Sequence, residues 1–293
     1  MLPLVDDGFL TLKEDTHQYF DQAGQEYNSV SSVISTVTMP FDAKRISRSM
    51  TGSQAEADAL QREWRAKNRR SIEWGNAVHN ECENFIRYGS VGDSSFRKLE
   101  DELYRKLTKR YARNHAERIL RDQDRLICGT GDHLGERSKV RNANLVVDIN
   151  DFKTNLAKGV RNDKAKIDEQ TKEVVRYYNQ FLLYPLEHLE ASDYVKYCLQ
   201  LSMYGVMLEK YGVRVGSMNL YYIDQELTVS EIFVPYMRME AILLMDNFIQ
   251  LRNVDGTPKS QYLKRKEAKS QQQLGTLIKE LDLVEELDEN EWI

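Results

Sequence analysis

Alternating apolar and polar positions predict two core strands in the middle of the chain. Residues 144–154, NLVVDINDFKT, form an apolar strand pattern whose buried row continues to Asp151 and then Lys153, because side chains two apart on a strand share a face. The preceding strand pattern, RLICGTGDHL, carries Asp132 on its corresponding face. An antiparallel hairpin of these strands sets Asp132 roughly opposite Asp151. Two carboxylates and an ammonium then converge, which is costly to desolvate unless a cation occupies the cluster.

Helices and further strands are predicted on both sides of this hairpin. Four segments have the apolar spacing of helices: 53–88, 94–121, 193–211 and 236–252. Strand patterns occur at 8–37, which leads into a helix, and at the pair 217–223 and 228–234, whereas 155–192 has no clear period. No internal repeat or Gly- or Pro-rich linker divides this order. We therefore expect one α/β domain over 1–257, with a central mixed sheet, an N-terminal hairpin and helical embellishments at 53–121, followed by a charged helix and acidic tail at 258–293.

Composition favours an intracellular protein with a large core. A chain of 293 residues with 41% hydrophobic content can bury a sizeable interior. No apolar run approaches the length of a membrane span, and the N-terminus, MLPLVDDGFLTLKED, has the pattern of neither a signal nor a transit peptide. The three cysteines, Cys82, Cys128 and Cys198, are widely spaced and lie in apolar elements, as is typical of reduced core thiols. We expect a cytoplasmic protein that does not contact membranes.

The net charge of −5 is unevenly distributed. Residues 279–293 carry a local charge of −6, which leaves +1 for the rest of the chain. Two clusters of positive charge suit phosphate contacts, although solvated helix faces explain them equally well. The candidates for DNA contact are Arg65, Arg69, Arg70, Lys106, Lys109, Arg110 and Arg113. The acidic tail offers a surface for a protein partner instead.

The Asp151-x-Lys153 triplet gains meaning only from the residues that accompany it. Asp42-Ala43-Lys44 has the same spelling in a polar, loop-like stretch, and a solvated charge pair is the ordinary interpretation of either triplet. Two predicted helices carry further candidate residues at a spacing of four, one helix upstream of Asp151 with Gly75, His79 and Glu83 and one downstream with Gln200 and Tyr204.

This set resembles the PD-(D/E)XK nucleases of the RecB-type exonuclease group, which includes phage exonucleases, the mitochondrial genome maintenance exonuclease and the CRISPR adaptation nucleases. The resemblance runs from about residue 17 to residue 224. It implies a restriction-endonuclease-like core and metal-dependent hydrolysis of DNA. The favoured activity is an exonuclease acting from free single-stranded ends, in the cytoplasm of a bacterium or a phage-infected cell.

The resemblance also implies roles for individual residues. A divalent cation would be held by Asp132, Asp151, the backbone carbonyl of Phe152 and His79. Oxygen ligands suit Mg²⁺, and an imidazole makes Mn²⁺ a good occupant. Lys153 would position or activate the attacking water, and Glu83, one turn beyond His79, would orient it or hold a water-bridged metal. Gln200 and Tyr204 would meet the edge of the active site and the substrate backbone, although simple packing also explains them.

The sequence excludes a four-cysteine iron–sulfur cluster and lacks a nucleotide-binding motif. Four thiolates are needed for the iron–sulfur cluster of some relatives, and only three cysteines are present. The chain has no phosphate-binding loop of the Gly-x-x-x-x-Gly-Lys-[Ser/Thr] type, so no nucleotide is expected. Two alternatives stay open, namely a structure-specific DNA endonuclease on the same core and a catalytically silent nucleic-acid-binding or regulatory protein. The sequence leaves the polarity of digestion, the strand preference and the oligomeric state open.

Overall fold

The structure is a computed structural model that describes residues 8–13, 18–89, 94–137, 145–154, 165–167, 174–177 and 180–251. Its helices are α1 (Val30–Thr36), α2 (Ala43–Met50), α3 (Gln54–Tyr88), α4 (Arg97–Lys106), α5 (Asp193–Lys210) and α6 (Arg238–Gln250). Its strands are β1 (Leu10–Lys13), β2 (Gln18–Asp21), β3 (Glu26–Ser29), β4 (Arg113–Asp122), β5 (Ile127–Glu136), β6 (Val146–Lys153), β7 (Ala165–Ile167), β8 (Val174–Tyr177), β9 (Arg214–Ile223) and β10 (Val229–Val234). Contacts divide the chain into Met1–Met245 and Asp246–Ile293, and the predicted tail at 258–293 lies outside the described residues.

One mixed sheet organises the fold. Its strand order is β1-β2-β3-β5-β6-β9-β10, with β4 paired to β5, and β7 and β8 form a separate two-stranded sheet. The β3–β5 and β6–β9 pairs are parallel, whereas the other neighbours are antiparallel. Helices flank this sheet, so the predicted α/β class with a central mixed sheet is confirmed.

Strand β5 is paired differently along its two edges. On one edge β4 accompanies it from Asp122↔Ile127 to Arg113↔Glu136. On the other edge β3 pairs at Ile127 and Cys128, and β6 pairs from His133 to Glu136. Residues 129–132 of this second edge therefore have no strand partner among the described residues. The gap opens the sheet at Asp132.

The predicted hairpin around Asp132 is confirmed. Strands β5 and β6 pair antiparallel with His133 opposite Asn150, so the same register sets Asp132 opposite Asp151. Beyond that point β6 continues beside β9 up to Lys153↔Tyr222. Asp151 and Lys153 therefore lie on a central strand whose other side remains paired.

The prediction of a helix over 94–121 is wrong in its second half. Helix α4 ends at Lys106, a 3-10 turn covers Thr108–Arg110, and Arg113–Asp122 is strand β4. Nine of the ten residues of this segment pair with β5, and that pairing outweighs the weak preference of a charged sequence for helix. The helical embellishments within 53–121 therefore consist of α3 and α4.

The long helix predicted at 53–88 is confirmed as α3, and its ends follow the sequence. The side chain of Ser53 accepts a hydrogen bond from the Glu56 N–H, which caps the first turn. Gly89, with a φ of 80°, terminates the helix because a positive φ is favourable only without a Cβ. No helix among the described residues is long and apolar enough to cross a membrane.

Two helical layers enclose the middle of the sheet. Val78 and Cys82 of α3 pack in one apolar cluster with Leu103 of α4, Phe152 of β6 and Tyr221 of β9. Helix α5, predicted at 193–211, is buried over most of its length. All three cysteines are buried free thiols, as predicted. Because Phe152 faces the α3–α4 layer, its neighbours Asp151 and Lys153 face the other way.

Candidate metal and active site

The carboxylate of Asp132 is fixed where β5 and β6 separate. Its Oδ2 accepts a hydrogen bond of 2.8 Å from the backbone N–H of Phe152. A side chain thus takes the place of a backbone acceptor, which keeps the ladder satisfied while the strands diverge. The Asp132 side chain is 12% exposed, and Nδ1 of His79 lies 3.6 Å from the same oxygen.

Helix α3 brings His79 to this point. Gly75 lies one turn earlier, and a Cβ at that position would be 3.1 Å from the Thr154 hydroxyl, so glycine allows α3 to approach the end of β6 closely. The His79 ring then packs edge-on against Phe152, with the ring centroids 6.1 Å apart. The predicted proximity of His79 and Asp132 is confirmed, although they are 53 residues apart in sequence.

A third ligand candidate, Glu117, completes this group. One ligand atom from each of His79, Glu117 and Asp132 lies within 4.8 Å of the others. Glu117 is on β4 between Ala116 and Arg118, which pair with His133 and Gly131, so it stands opposite Asp132. An imidazole and two carboxylates at this spacing form a suitable ligand set for a divalent metal ion.

The sequence does not indicate Glu117 as a ligand, because its pattern predicts a helix where the structure has strand β4. The signal that would have found it is the polar tetrapeptide at residues 122–125, which separates two strand-length segments and marks a turn. Glu117 also has a φ of 49°, which is uncommon for a residue other than glycine and costs conformational energy. Burial raises the pKa of Glu117 to about 8, with further contributions from the charges of Asp132, Glu83 and Asp151.

Asp151 and Lys153 form a buried ion pair beside the group of three. The Lys153 ammonium contacts Oδ2 of Asp151, which is 1% exposed. Burial raises the pKa of Asp151 to about 6 against the opposing effect of Lys153. Burial lowers the pKa of Lys153, but the charges of Asp151 and Asp132 outweigh it and raise that pKa overall.

The environment of Asp151 fits a cation. Its Oδ1 is buried and has no hydrogen-bond donor among the described residues. A buried carboxylate oxygen without a donor is costly, and a divalent ion removes that cost. Asp151 does not belong to the tight group of His79, Glu117 and Asp132, but its charge acts on both carboxylates of that group. These acidic residues and the histidine therefore form a donor set for a divalent cation, and Mg²⁺ or Mn²⁺ as its occupant stays a prediction.

A cleft of about 390 Å³ opens beside the Asp151–Lys153 pair. Its lining includes Asn68, Ser71 and His79 of α3, Phe152 and Lys153 of β6, and Tyr197 of α5. The Lys153 ammonium lies 4.7 Å from the centroid of the Tyr197 ring, a cation–π contact that adds to its ion pair with Asp151. Tyr197 was not predicted, since an aromatic on a buried helix gives no sequence signal.

Gln200 and Tyr204 lie together on α5, as their spacing predicts. The Gln200 amide donates a hydrogen bond of 3.2 Å to the Tyr204 hydroxyl. Burial raises the pKa of Tyr204 well above its ordinary value, and the charges of Asp151 and Asp132 add to this effect. Tyr204 packs against Gly129 of β5, in the unpaired stretch that precedes Asp132. The two residues therefore pack against the part of β5 that leads to Asp132, and their contact with substrate stays a prediction.

Two other assignments are placed less directly. Glu83 forms an ion pair of 2.8 Å with Arg87 on the same helix, and its charge contributes to the raised pKa of Glu117. Glu83 therefore influences the group of His79, Glu117 and Asp132 through its charge. Phe152 contributes its N–H to Asp132, and coordination through its carbonyl stays a prediction.

The predicted DNA-contacting residues fall into two kinds. Those of α3 and Lys109 are exposed: Arg65, Arg69, Arg70 and Lys109. The others bind acidic partners, with Arg110 on Glu231, Arg113 on Glu136 and Lys106 on Glu102. Phosphate contact by the second kind would compete with these pairs, so the exposed arginines of α3 are the better candidates.

Comparison with known proteins adds little to this geometry. No family model matches the chain, and no curated protein matches it. Among solved structures, the chain titled "Crystal structure of SSO0001" is 16% identical over 59% of this chain and 63% of that chain, with a TM-score of 0.24. This chain thus spans less than two thirds of that structure's length, and a likeness of this size carries no argument about fold or function.

Proposed function

We propose that this protein is a metal-dependent DNA nuclease with a PD-(D/E)XK core, acting as an exonuclease. The observation that carries the proposal is the meeting of His79, Glu117 and Asp132 beside the buried Asp151–Lys153 pair. Five ionisable groups with one uncompensated buried oxygen are expensive to maintain, and such clusters concentrate at functional sites.

The chain's own residues account for the chemistry of phosphodiester hydrolysis. His79, Glu117 and Asp132 would hold the ion, with Asp151 adjacent, and a bound divalent ion lowers the pKa of a water and polarises the scissile phosphate. The raised pKa of Lys153 keeps its amine protonated at neutral pH. Lys153 therefore acts as a cation that orients the water and stabilises charge on the phosphate oxygens, rather than as a base.

The surroundings of the site favour a flexible nucleic-acid substrate. The cleft is walled by α3 and by Tyr197, and exposed arginines at 65, 69 and 70 lie on the same helix. Positive charge near a cleft attracts a phosphodiester backbone, and an aromatic side chain beside it can stack on unpaired bases. Single-stranded DNA ends are therefore the proposed substrate.

The first experiment tests hydrolysis itself. End-labelled single- and double-stranded DNA is incubated with the protein in Mg²⁺, Mn²⁺ or a chelator. Cleavage should require the cation and fall about 100-fold or more in Asp151→Asn and Lys153→Ala, while DNA affinity persists. Asp101→Asn, which alters an exposed carboxylate on α4, is the matched control. Full cleavage by either site variant would contradict the assignment, and DNA binding without any hydrolysis would favour the catalytically silent alternative.

A second experiment separates the exonuclease from the endonuclease. Covalently closed single-stranded circles are offered beside the same DNA after linearisation, under identical cation conditions. The linear form should be degraded while circles persist, because the proposed reaction begins at an end. Degradation of both at similar rates would establish the structure-specific or sequence-loose endonuclease instead.

A further inference from the structure

Two aromatic side chains, Phe41 just before α2 and the half-buried Trp64 of α3, pack against each other. The Phe41 and Trp64 ring centroids are 5.6 Å apart at an interplanar angle of 59°. Phe41 is 67% exposed, and the neighbouring Met39 is 61% exposed. Because the rings are tilted, their contact does not cover both faces of Phe41. A planar ligand can stack on the remaining face.

Hydrogen bonds hold α2, which follows Phe41, against α3, which carries Trp64. Ser47 of α2 is completely buried, and its hydroxyl accepts a hydrogen bond of 2.8 Å from the Gln61 amide of α3. The Arg48 guanidinium of α2 donates a hydrogen bond of 3.1 Å to the side chain of Gln54, where the chain passes from α2 into α3. Phe41 lies directly before the side chain of Asp42 that caps α2. The exposed ring is thus held on a fixed support.

One face of α3 connects the aromatic pair to the candidate metal site. Trp64, Asn68, Ser71 and His79 recur at helical spacing, so they share a face of α3. Asn68 and Ser71 line the cleft beside Lys153. The distance from Trp64 to His79 along the helix is about 22 Å, at a rise of ~1.5 Å per residue. A strand of stacked bases covers that distance in about seven nucleotides.

The positive charge of the segment that carries Phe41 and Trp64 complements a nucleic acid. Residues 41–72 contain eight lysine or arginine residues and four aspartate or glutamate residues, in a chain whose net charge is −5. Exposed aromatics surrounded by positive charge form the usual surface on which proteins stack unpaired bases. An apolar protein partner gives no reason for this excess of positive charge.

We propose that Phe41 and Trp64 form a stacking platform for an unpaired nucleic-acid strand whose end lies in the cleft. The platform rests on the proposed function, since it extends the substrate path from the metal site along α3. It holds the strand about seven nucleotides from the reacting phosphate. Strands too short to span ~22 Å reach only the cleft and do not touch the platform.

Binding of oligothymidylates of two lengths tests the platform without catalysis. Fluorescence anisotropy is measured in a chelator with labelled strands of two and fifteen nucleotides, all in an Asp151→Asn background. Phe41→Ala should weaken binding of the fifteen-nucleotide strand about tenfold and leave the two-nucleotide strand unchanged. Tyr104→Ala, which removes a 58% exposed aromatic on α4, should change neither affinity.

A second substitution guards against an indirect effect. Trp64→Phe keeps an aromatic ring and should bind the long strand within about twofold of the parent, whereas Trp64→Ala should match the loss in Phe41→Ala. Unchanged affinity of Phe41→Ala for the long strand, as a protein-docking surface would give, overturns the platform. An equal loss for both strand lengths overturns it too. Absence of hydrolysis in the wild-type protein contradicts the proposed function but leaves this binding measurement intact.

Discussion

The Asp132 carboxylate accepts a 2.8 Å hydrogen bond from the backbone N–H of Phe152, the residue between Asp151 and Lys153. The same oxygen, Oδ2, lies 3.6 Å from Nδ1 of His79. It therefore accepts a backbone hydrogen bond where β5 and β6 separate and also contacts the candidate ligand His79. Structure and proposed chemistry depend on the same side chain. A substitution that removes the charge of Asp132 but keeps its hydrogen-bond acceptor can distinguish its structural role from its proposed role in metal binding.

The Asp132→Asn and Asp132→Ala variants should differ in stability but not in metal response. Asparagine keeps an oxygen that can accept the Phe152 N–H, whereas alanine leaves that group without its acceptor. We expect Asp132→Ala to be less stable than Asp132→Asn by about 1–3 kcal/mol in urea denaturation without metal. Neither variant should gain stability when Mn²⁺ is added. Equal stability of the two variants would show that the hydrogen bond contributes little.

Replacing Glu117 by glutamine should stabilise the metal-free protein at alkaline pH. The folded-state pKa of about 8 lies above the ordinary value of 4.5. The stabilising contribution of the Glu117 carboxyl to the free energy of unfolding is therefore complete below pH 4.5 and is lost as the pH rises through 8. Above pH 8 the folded protein therefore carries a destabilising buried charge. Glu117→Gln should raise the free energy of unfolding by on the order of 2 kcal/mol at pH 8.5, and less at pH 5.

A divalent metal ion should make the wild-type protein more stable than Glu117→Gln, the reverse of the order expected without metal. A ligand that binds only the folded state stabilises it by about 2.7 kcal/mol at 100 times its Kd. Mn²⁺ should therefore stabilise the wild-type protein and leave Glu117→Gln nearly unchanged in thermal unfolding. Glu187→Gln, which changes an exposed carboxylate, serves as the control and should respond as the wild type does. Full Mn²⁺ stabilisation of Glu117→Gln would remove Glu117 from the ligand set.

Local pattern was enough to predict the strand-end half of the site. The alternation over 144–154 fixes which side of β6 carries Asp151 and Lys153, because a shift of one residue would expose the apolar row. The same argument places Asp132 on β5, and the short connection between the strands makes them antiparallel. The contact between Asp151 and Lys153 follows from these facts alone.

The remaining site residues depend on tertiary packing, which local pattern does not encode. Glu117 belongs to a charged segment whose helical and extended forms differ little in intrinsic energy, so pairing with β5 decides its structure. Tyr197 reaches Lys153 only because α5 packs across the sheet. The His79–Asp132 distance likewise depends on how closely α3 crosses β6, and the sequence indicates that approach only through Gly75.

Substitution of Gly129 tests how α5 is seated below the site. A Cβ at Gly129 would lie 2.8 Å from Cε1 of Tyr204, a buried ring that would have to shift. Gly129→Ala should therefore lower the free energy of unfolding by about 1–3 kcal/mol. Tyr204→Leu removes the obstructing ring, so the alanine should cost less in that background, as a double-mutant cycle would show. Gly52→Ala, whose Cβ would meet nothing closer than 3.6 Å, is the control.

The last prediction concerns His133, a completely buried residue on β5 that takes no part in the proposed chemistry. Its Nδ1 lies 2.9 Å from the Asn150 amide nitrogen, and its Nε2 lies 2.9 Å from the Asn114 side-chain oxygen. Nδ1 therefore accepts a hydrogen bond while Nε2 donates one. This arrangement suits the neutral ring, because a proton on Nδ1 would face another donor.

Burial lowers the pKa of His133 to about 3, and the neighbouring His115 adds to the effect. The unfolded chain has the ordinary histidine pKa of about 6.5, so the contribution of His133 is complete above that pH and is lost as the pH falls from 6.5 towards 3. Between pH 7.5 and pH 5 this loss amounts to about 2 kcal/mol. The titratable neighbours in this network are Tyr111, His115 and, through His115, Glu136.

Urea denaturation at pH 7.5 and pH 5 measures the effect directly. His133→Gln is expected to be less stable than the wild type at pH 7.5, because the substitution disturbs a buried network of paired amides. Its further loss on acidification should nevertheless be smaller than that of the wild type by about 2 kcal/mol, since the group that takes up a proton on unfolding is gone. His188→Gln, which alters an exposed histidine, should retain the wild-type loss. If His133→Gln and the wild type lose the same free energy between the two pH values, His133 is not the residue whose protonation opposes folding.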